Sequence, residues 1–276
     1  MFRVWILILI CHSLFAQDLV KGREPDLLMS YAPGRKIEVH RASGISKAPM
    51  IMLIHGGGWS SGEPAQMRAW ADTLSKLGYV CLSVQYTLSG EGLYPAAVKD
   101  LKAAIAFIHK NAAMVGGDKN KLALLGFSAG GQLASLLGTT WDSDLYGKDK
   151  TRIHAVINMD GILAFIHPES GEGDDSKKPS AATRWFGYPK DFSTKHWEEA
   201  SALNHVSEKT PPHLFLNSSV NRMQAGRGEF QARLAQWNIY SEAHKFEDAP
   251  HDFCLKRPWL SAAVTYTHSF LKKVLP

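Results

Sequence analysis

Short apolar runs alternate along the chain with longer stretches in which apolar residues recur every three or four positions. The short runs fit buried strands and the longer ones fit helices lying over them. Together they predict an α/β protein, with a mostly parallel sheet and helices on both faces. Lys36 to His40 alternates as an early strand. Pro49 to Ile54 is a continuous apolar strand that stops at His55-Gly56-Gly57-Gly58-Trp59. Residues 64–77 carry a helical pattern stopped by Gly78. Tyr79 to Val84 is the next buried strand. In the helix over 96–111, Ala97, Leu101, Ala104, Ile105 and Ile108 fall on one face. Leu122 to Leu125 is a strand leading into Gly126-Phe127-Ser128-Ala129-Gly130-Gly131, followed by a helix rich in Ala and Leu that runs to about Gly138. Strands over Ala155 to Met159, His213 to Leu216 and Tyr240 to Phe246 follow, with helices over 227–237 and 259–273.

Two stretches fall outside this alternation. Residues 161–200 are irregular and polar, too long for an ordinary connection, and read as a cap or substrate-binding insertion. Trp185, Phe186, Tyr188 and Trp197 argue against disorder there, and an aromatic-rich insertion could stack on sugar rings. The first sixteen residues read as a secretory signal peptide: Arg3, then the unbroken apolar run Val4 to Ile10, then Ser13-Leu14-Phe15-Ala16 before Gln17. The run is far shorter than the ~20 residues that span a bilayer. Residues 17–276 are then expected to form one domain in a secreted or periplasmic protein.

Composition narrows the function classes. The 276 residues are 45% hydrophobic and 21% charged, an ordinary globular balance. The formal charge of +5 is scattered, with no basic run to suggest a nucleic-acid partner. Nothing after the leader is apolar enough to span a membrane. Of the three cysteines, Cys81 and Cys254 lie beyond the leader. Export would permit them to pair, but their positions favour two separate buried thiols. No CxxC or HExxH spacing supports a metal site, and no cofactor is expected.

The chemistry gathers at three places. Gly126-Phe127-Ser128-Ala129-Gly130 fits G-x-S-x-G, a turn tight enough to lift a serine Oγ above a sheet. A strand before it and a small-residue helix after it are the right context, and the helix N-terminus adds a positive dipole end. Ser128 is the expected nucleophile. In His55-Gly56-Gly57-Gly58, glycines after a strand let backbone N–H groups turn into a site with no Cβ in the way. Gly57 and Gly58, with the N–H of Ala129, are the expected oxyanion donors. His251, in Pro250-His251-Asp252-Phe253, follows the last strand and precedes the last helix, where the general base belongs in this order of elements. His213 and His244 lie in strands and read as structural.

With these residues the chain resembles the α/β-hydrolase superfamily, nearest its hormone-sensitive-lipase-like and feruloyl/acetyl-xylan-esterase-like branch. The resemblance is carried by His55-Gly56-Gly57-Gly58-Trp59, Gln85-Tyr86, Tyr94-Pro95-Ala96-Ala97-Val98-Lys99-Asp100, Gly126 to Gly131 and Pro250 to Phe253, and covers roughly residues 34–274. It implies a serine esterase acting on short acyl esters, acetyl or feruloyl, of a plant or algal polysaccharide. A serine peptidase of the same fold and a non-catalytic carbohydrate-binding module are the other readings. The chain departs from the family at the acid. After the strand ending near Leu216 the family usually carries Asp, but here stands Asn217-Ser218-Ser219-Val220-Asn221-Arg222. Asp160, ending the preceding strand, is the preferred acid. Glu229 is the rival, Asn221 a neutral alternative, and Asp248 reads as a turn former.

Overall fold

The computed structural model describes residues 19–275, so the leader reading of residues 1–16 lies outside the described residues. Eight strands form one sheet: β1 (Leu27–Ala32), β2 (Arg35–His40), β3 (Ala48–Ile54), β4 (Val80–Val84), β5 (Gly117–Phe127), β6 (Ala155–Met159), β7 (His213–Asn217) and β8 (Ser241–Lys245). Their order is β1-β2-β4-β3-β5-β6-β7-β8. β2 pairs antiparallel with β1 and β4, and every pairing from β4 through β8 is parallel. The helices are α1 (Arg68–Lys76), α2 (Ala96–Lys110), α3 (Ala112–Val115), α4 (Ala129–Thr140), α5 (Ala181–Phe186), α6 (Lys195–Glu199), α7 (Arg227–Gln236) and α8 (Trp259–Val274).

The two-residue period of a strand decides which core each side chain joins. In β3, Met50, Met52 and Ile54 point into the layer covered by α2, α4 and α7. Ile51 and Leu53 point into the layer covered by α1 and α8. Both faces of the central strands are therefore dry, which explains why they read as unbroken apolar runs. Cys81 in β4 and Cys254 after the last strand are both buried and unpaired. Among the described residues no helix is long and apolar enough to cross a membrane.

Two strands depart most from expectation, β1 being unforeseen and β5 starting early. β1 is an edge strand whose residues alternate between half-buried and exposed over most of its length, so it lacks the dense apolar signal of the inner strands. β5 begins at Gly117 rather than Leu122, because its first residues carry the polar run Asp118-Lys119-Asn120-Lys121. The larger correction concerns residues 161–200. The segment contains α5 and α6, and its tryptophans and Phe186 are core rather than a stacking surface, while Tyr188 is half-buried and Phe192 is exposed. Trp185 and Trp197 are fully buried and Phe186 is nearly so. Trp185 stacks on Trp59 at 4.8 Å, and Phe186 packs on Trp197 at 4.7 Å. Each ring removes a large apolar area from water, which fixes the segment to the body of the protein.

Candidate active site

Parallel strands deliver their C-terminal ends to one edge, where an open α/β sheet places its ligands. Four neighbouring strands bring the predicted residues there, together with Asn217 and Ser218, which the sequence did not mark as site residues. β3 leads into His55 to Trp59, β5 into Ser128, β6 into Asp160, and β7 into Asn217 and Ser218. The loop after β8 brings His251.

Ser128 has φ 55 and ψ −121, a region that an L-residue occupies only under constraint. The constraint is close packing. A Cβ at Gly126 would lie 2.0 Å from Gly130 O, and one at Gly130 would lie 2.1 Å from Ile54 O. Only glycines allow the strand, turn and helix to approach this closely. The Ser128 N–H donates to Met159 O at 2.8 Å, locking the turn to β6.

Asp160 also has a positive φ, 51, and is fully buried. Its own N–H donates to Leu216 O at 3.0 Å. Asn158 reinforces this corner: its Nδ2 donates to Gly161 O, Ser135 Oγ and Gly131 O, and its Oδ1 accepts the Gly161 N–H at 2.7 Å. The turn at Asp160 and the first turn of α4 are thereby one hydrogen-bonded unit.

The structure brings Ser128, His251 and Asp160 into one line. His251 Nε2 is 2.9 Å from Ser128 Oγ, and His251 Nδ1 is 2.9 Å from Asp160 Oδ2. The other carboxylate oxygen, Oδ1, accepts the Ser218 N–H at 2.8 Å and Asn217 Nδ2 at 3.4 Å. Arg227 donates to Asn217 Oδ1 at 2.7 Å, placing a cation behind the acid. Burial pulls that guanidinium below its ordinary pKa, and the Glu169 and Asp160 charges oppose the shift. The imidazole of His251 rests against Phe127, ring centres 5.1 Å apart. The loop carrying it is tied down where Ser219 N and Oγ both donate to Ala249 O.

The rival acids stand elsewhere. Glu229 is exposed and pairs with His167 at 3.1 Å. Asp248 accepts from Trp259 Nε1 at 3.2 Å, and Asn221 is exposed at the start of a short turn. His213 is buried, its Nδ1 donating to Pro211 O, and His244 stacks on Tyr266 at 3.8 Å.

The glycine loop is equally pinned. Gly57 and Gly58 have φ 115 and 56, and a Cβ on Gly57 would meet Ser61 O at 2.1 Å. His55 donates from Nδ1 to Gly56 O at 2.8 Å, and Tyr86 stacks on its ring at 4.2 Å while donating to His55 O. Burial pushes the His55 pKa down to about 4, so it stays neutral. Among the described residues no hydrogen bond engages the N–H of Gly57 or Gly58. The Ala129 N–H opens α4, where helical donors have no intrahelical partner.

These groups surround a cavity of about 120 Å³, lined by Gly58, Trp59, Ser128, Ala129, Gln132, Asp160, Ile162, Ala181, Met223 and His251, with Glu172 and Arg222. Its inner wall is braced by hydrogen bonds. Trp59 Nε1 donates to Gln132 Oε1 at 3.0 Å, and Gln132 Nε2 donates to Ala200 O at 2.9 Å. Glu172, Arg222 and Met223 were not singled out as site residues from sequence, since no local motif marks them. Among the described residues no group of three or more His, Cys, Asp or Glu is placed to hold a metal ion.

The sheet order and the serine turn define an α/β-hydrolase fold. Residues 39–223 match the BD-FAE family, and the chain belongs to it. Esterase LipC of Mycobacterium tuberculosis is 30% identical over 222 residues, covering 76% of this chain and 53% of the relative. The chain spans about half the length of the curated relatives it matches. Among solved structures, the butyrate-bound thermophilic esterase Est2 of Thermogutta terrifontis superposes with TM-score 0.71 at 20% identity, covering 90% of this chain and 94% of that one. The acetyl ester-xyloside bifunctional hydrolase of Caldicellulosiruptor lactoaceticus gives TM-score 0.70 at 18% identity, covering 91% and 97%.

Proposed function

We propose that the protein is an exported serine esterase that removes short acyl groups, acetyl above all, from a polysaccharide. The reading is carried by one observation: the Ser128–His251–Asp160 relay, with both links at 2.9 Å, stands at the wall of a small cavity. Ser128 Oγ attacks the ester carbonyl as His251 Nε2 takes its proton. Gly57, Gly58 and Ala129 offer N–H groups to the oxyanion. The tetrahedral adduct collapses, the C–O bond to the alcohol breaks, and His251 returns the proton to the leaving oxygen. Water then attacks the acyl-serine by the same route in reverse, releasing the carboxylic acid and restoring Ser128. Asp160 keeps the Nδ1 proton in place and stabilises the imidazolium that forms in each step.

Cavity size favours acetyl over feruloyl. An apolar cavity of roughly 150 Å³ takes a benzene molecule, and a feruloyl group adds a propenoyl arm and two ring substituents. At about 120 Å³, with its Trp59–Gln132 wall braced, the cavity suits acyl groups of a few carbons. The relatives named as esterases support the reaction type. Export rests on the leader pattern. The test is the purified chain against p-nitrophenyl acetate, methyl ferulate, acetylated xylan and a peptide amide. Acetate release from the first and third, with weak ferulate turnover and no amide cleavage, is expected. Amide cleavage without ester turnover would overturn the reading in favour of a peptidase, and inactivity on all four in favour of a binding module.

A further inference from the structure

The cavity holding Ser128 and His251 is bordered by one charged pair that acyl transfer does not use, Glu172 and Arg222. Glu172 comes from the inserted segment and Arg222 from the turn after β7. Arg222 Nη1 donates to Glu172 Oε1 at 3.3 Å, and Glu172 Oε2 accepts the Ala182 N–H at 3.1 Å. The carboxylate is thus fixed at two points, its side chain 12% exposed, while the arginine side chain is 47% exposed. The stem of Arg222 runs close to Gly171, where a Cβ would lie 3.1 Å from its Cδ. A guanidinium has five N–H donors, and this one spends a single contact on Glu172, leaving donors for a ligand at the cavity rim.

A lone arginine at a rim would select a carboxylate. Here the neighbouring carboxylate balances the charge, so the pair offers fixed acceptors beside free donors with no net charge. The complement is a neutral group that donates and accepts at adjacent positions, and two neighbouring hydroxyls on a sugar ring do this. We infer that Glu172 and Arg222 form the subsite for the alcohol half of the ester, a neutral pyranose carrying vicinal hydroxyls. The inference rests on the esterase reading above. It also supplies the sugar contact that the buried Trp185 and Trp197 cannot make.

The test compares wild type, Arg222→Met, Arg222→Lys and Glu172→Gln on acetylated xylo-oligosaccharide and p-nitrophenyl acetate, reading the ratio of the two kcat/KM values, with acetylated polygalacturonate as a third, charged substrate. A hydrogen bond to a charged group corresponds to roughly ten- to a hundredfold. Arg222→Met and Glu172→Gln should each lower the ratio by about tenfold or more, mainly through KM on the sugar ester, and Arg222→Lys should recover part of the loss. An unchanged ratio, or equal losses on both substrates, would overturn the subsite. A loss confined to an acetylated polygalacturonate would overturn it in favour of carboxylate recognition. Calorimetric titration of unacetylated xylo-oligosaccharide into the Ser128→Ala protein, with and without Arg222→Met, separates the two claims. Weaker binding in the double variant is expected even if no ester is turned over. Unaltered binding would count against the subsite whatever the activity.

Discussion

Replacing Asp160 by Asn tests the relay at its least accessible member, and the surrounding hydrogen bonds dictate the outcome. Oδ1 faces two donors, Ser218 N–H and Asn217 Nδ2, while Oδ2 faces His251 Nδ1. An amide placed with its NH₂ on the Oδ1 side would confront Ser218 N–H, donor against donor, in a fully buried pocket. That arrangement leaves buried donors unsatisfied at a cost of about 1–3 kcal/mol each. With its NH₂ on the Oδ2 side the amide keeps the Ser218 bond and donates to His251 Nδ1. The imidazole proton then sits on Nε2, where it points at Ser128 Oγ and cannot accept the serine proton. The structure therefore selects the inactive tautomer, and kcat should fall by ~10³ to ~10⁴. The upper figure equals about 5.5 kcal/mol of transition-state stabilisation. Glu229→Gln alters an exposed contact to His167 and should stay within a few-fold of wild type. The assay is p-nitrophenyl acetate turnover, with circular dichroism and thermal melting to verify the fold. A folded Asp160→Asn protein within tenfold of wild type, or a crippled Glu229→Gln protein, would refute the reasoning.

Ser128 offers a prediction in which activity and stability part company. Its φ of 55 is a strained setting that glycine adopts freely, and such settings cost on the order of 1–3 kcal/mol. After the entropic cost of glycine, about 0.5–1 kcal/mol, Ser128→Gly should be inactive yet melt at or a few degrees above wild type, whereas a lower Tm would contradict strain at this turn. The buried histidines set a pH dependence of stability. His55 and His213 are both pushed down to about 4 by burial, while an unfolded histidine titrates near ~6.5. The unfolded chain takes up protons that the folded chain refuses, so stability is fully present above about pH 6.5 and lost as pH falls towards 4. Tm should decline across that window, less steeply in His213→Phe, and a flat wild-type Tm there would refute it.

What was legible in the chain was local. A serine between glycines after a strand, three glycines after another, and a histidine past the last strand each carry their meaning in a few consecutive residues. Asp160 could be chosen because a residue ending a central strand must emerge at the same edge as Ser128. Aromatic composition did not separate surface from core: Trp185 and Trp197 suggested a platform, but the same rings fill the interior beneath the insertion. β1 was hidden because half-buried alternation at an edge carries little apolar weight. Glu172 and Arg222 lie fifty positions apart, and their meeting depends on how the insertion folds over the turn after β7, which no local pattern encodes.

The placement of the proposed acid just after β6 has a practical reach for redesign. Because Ser128 and Asp160 follow adjacent strands and share the Asn158 brace, the chain from Asn217 onward gives the relay the backbone N–H of Ser218, a contact from Asn217 and the tie from Ser219 to Ala249 in the loop of His251. Any residue other than proline supplies a backbone N–H at position 218. The side chains of residues 221–223, which include Arg222 and Met223, are accordingly a graft site: they can be varied to retarget the site while Val220 N–H and Gln224 go on holding Ser218.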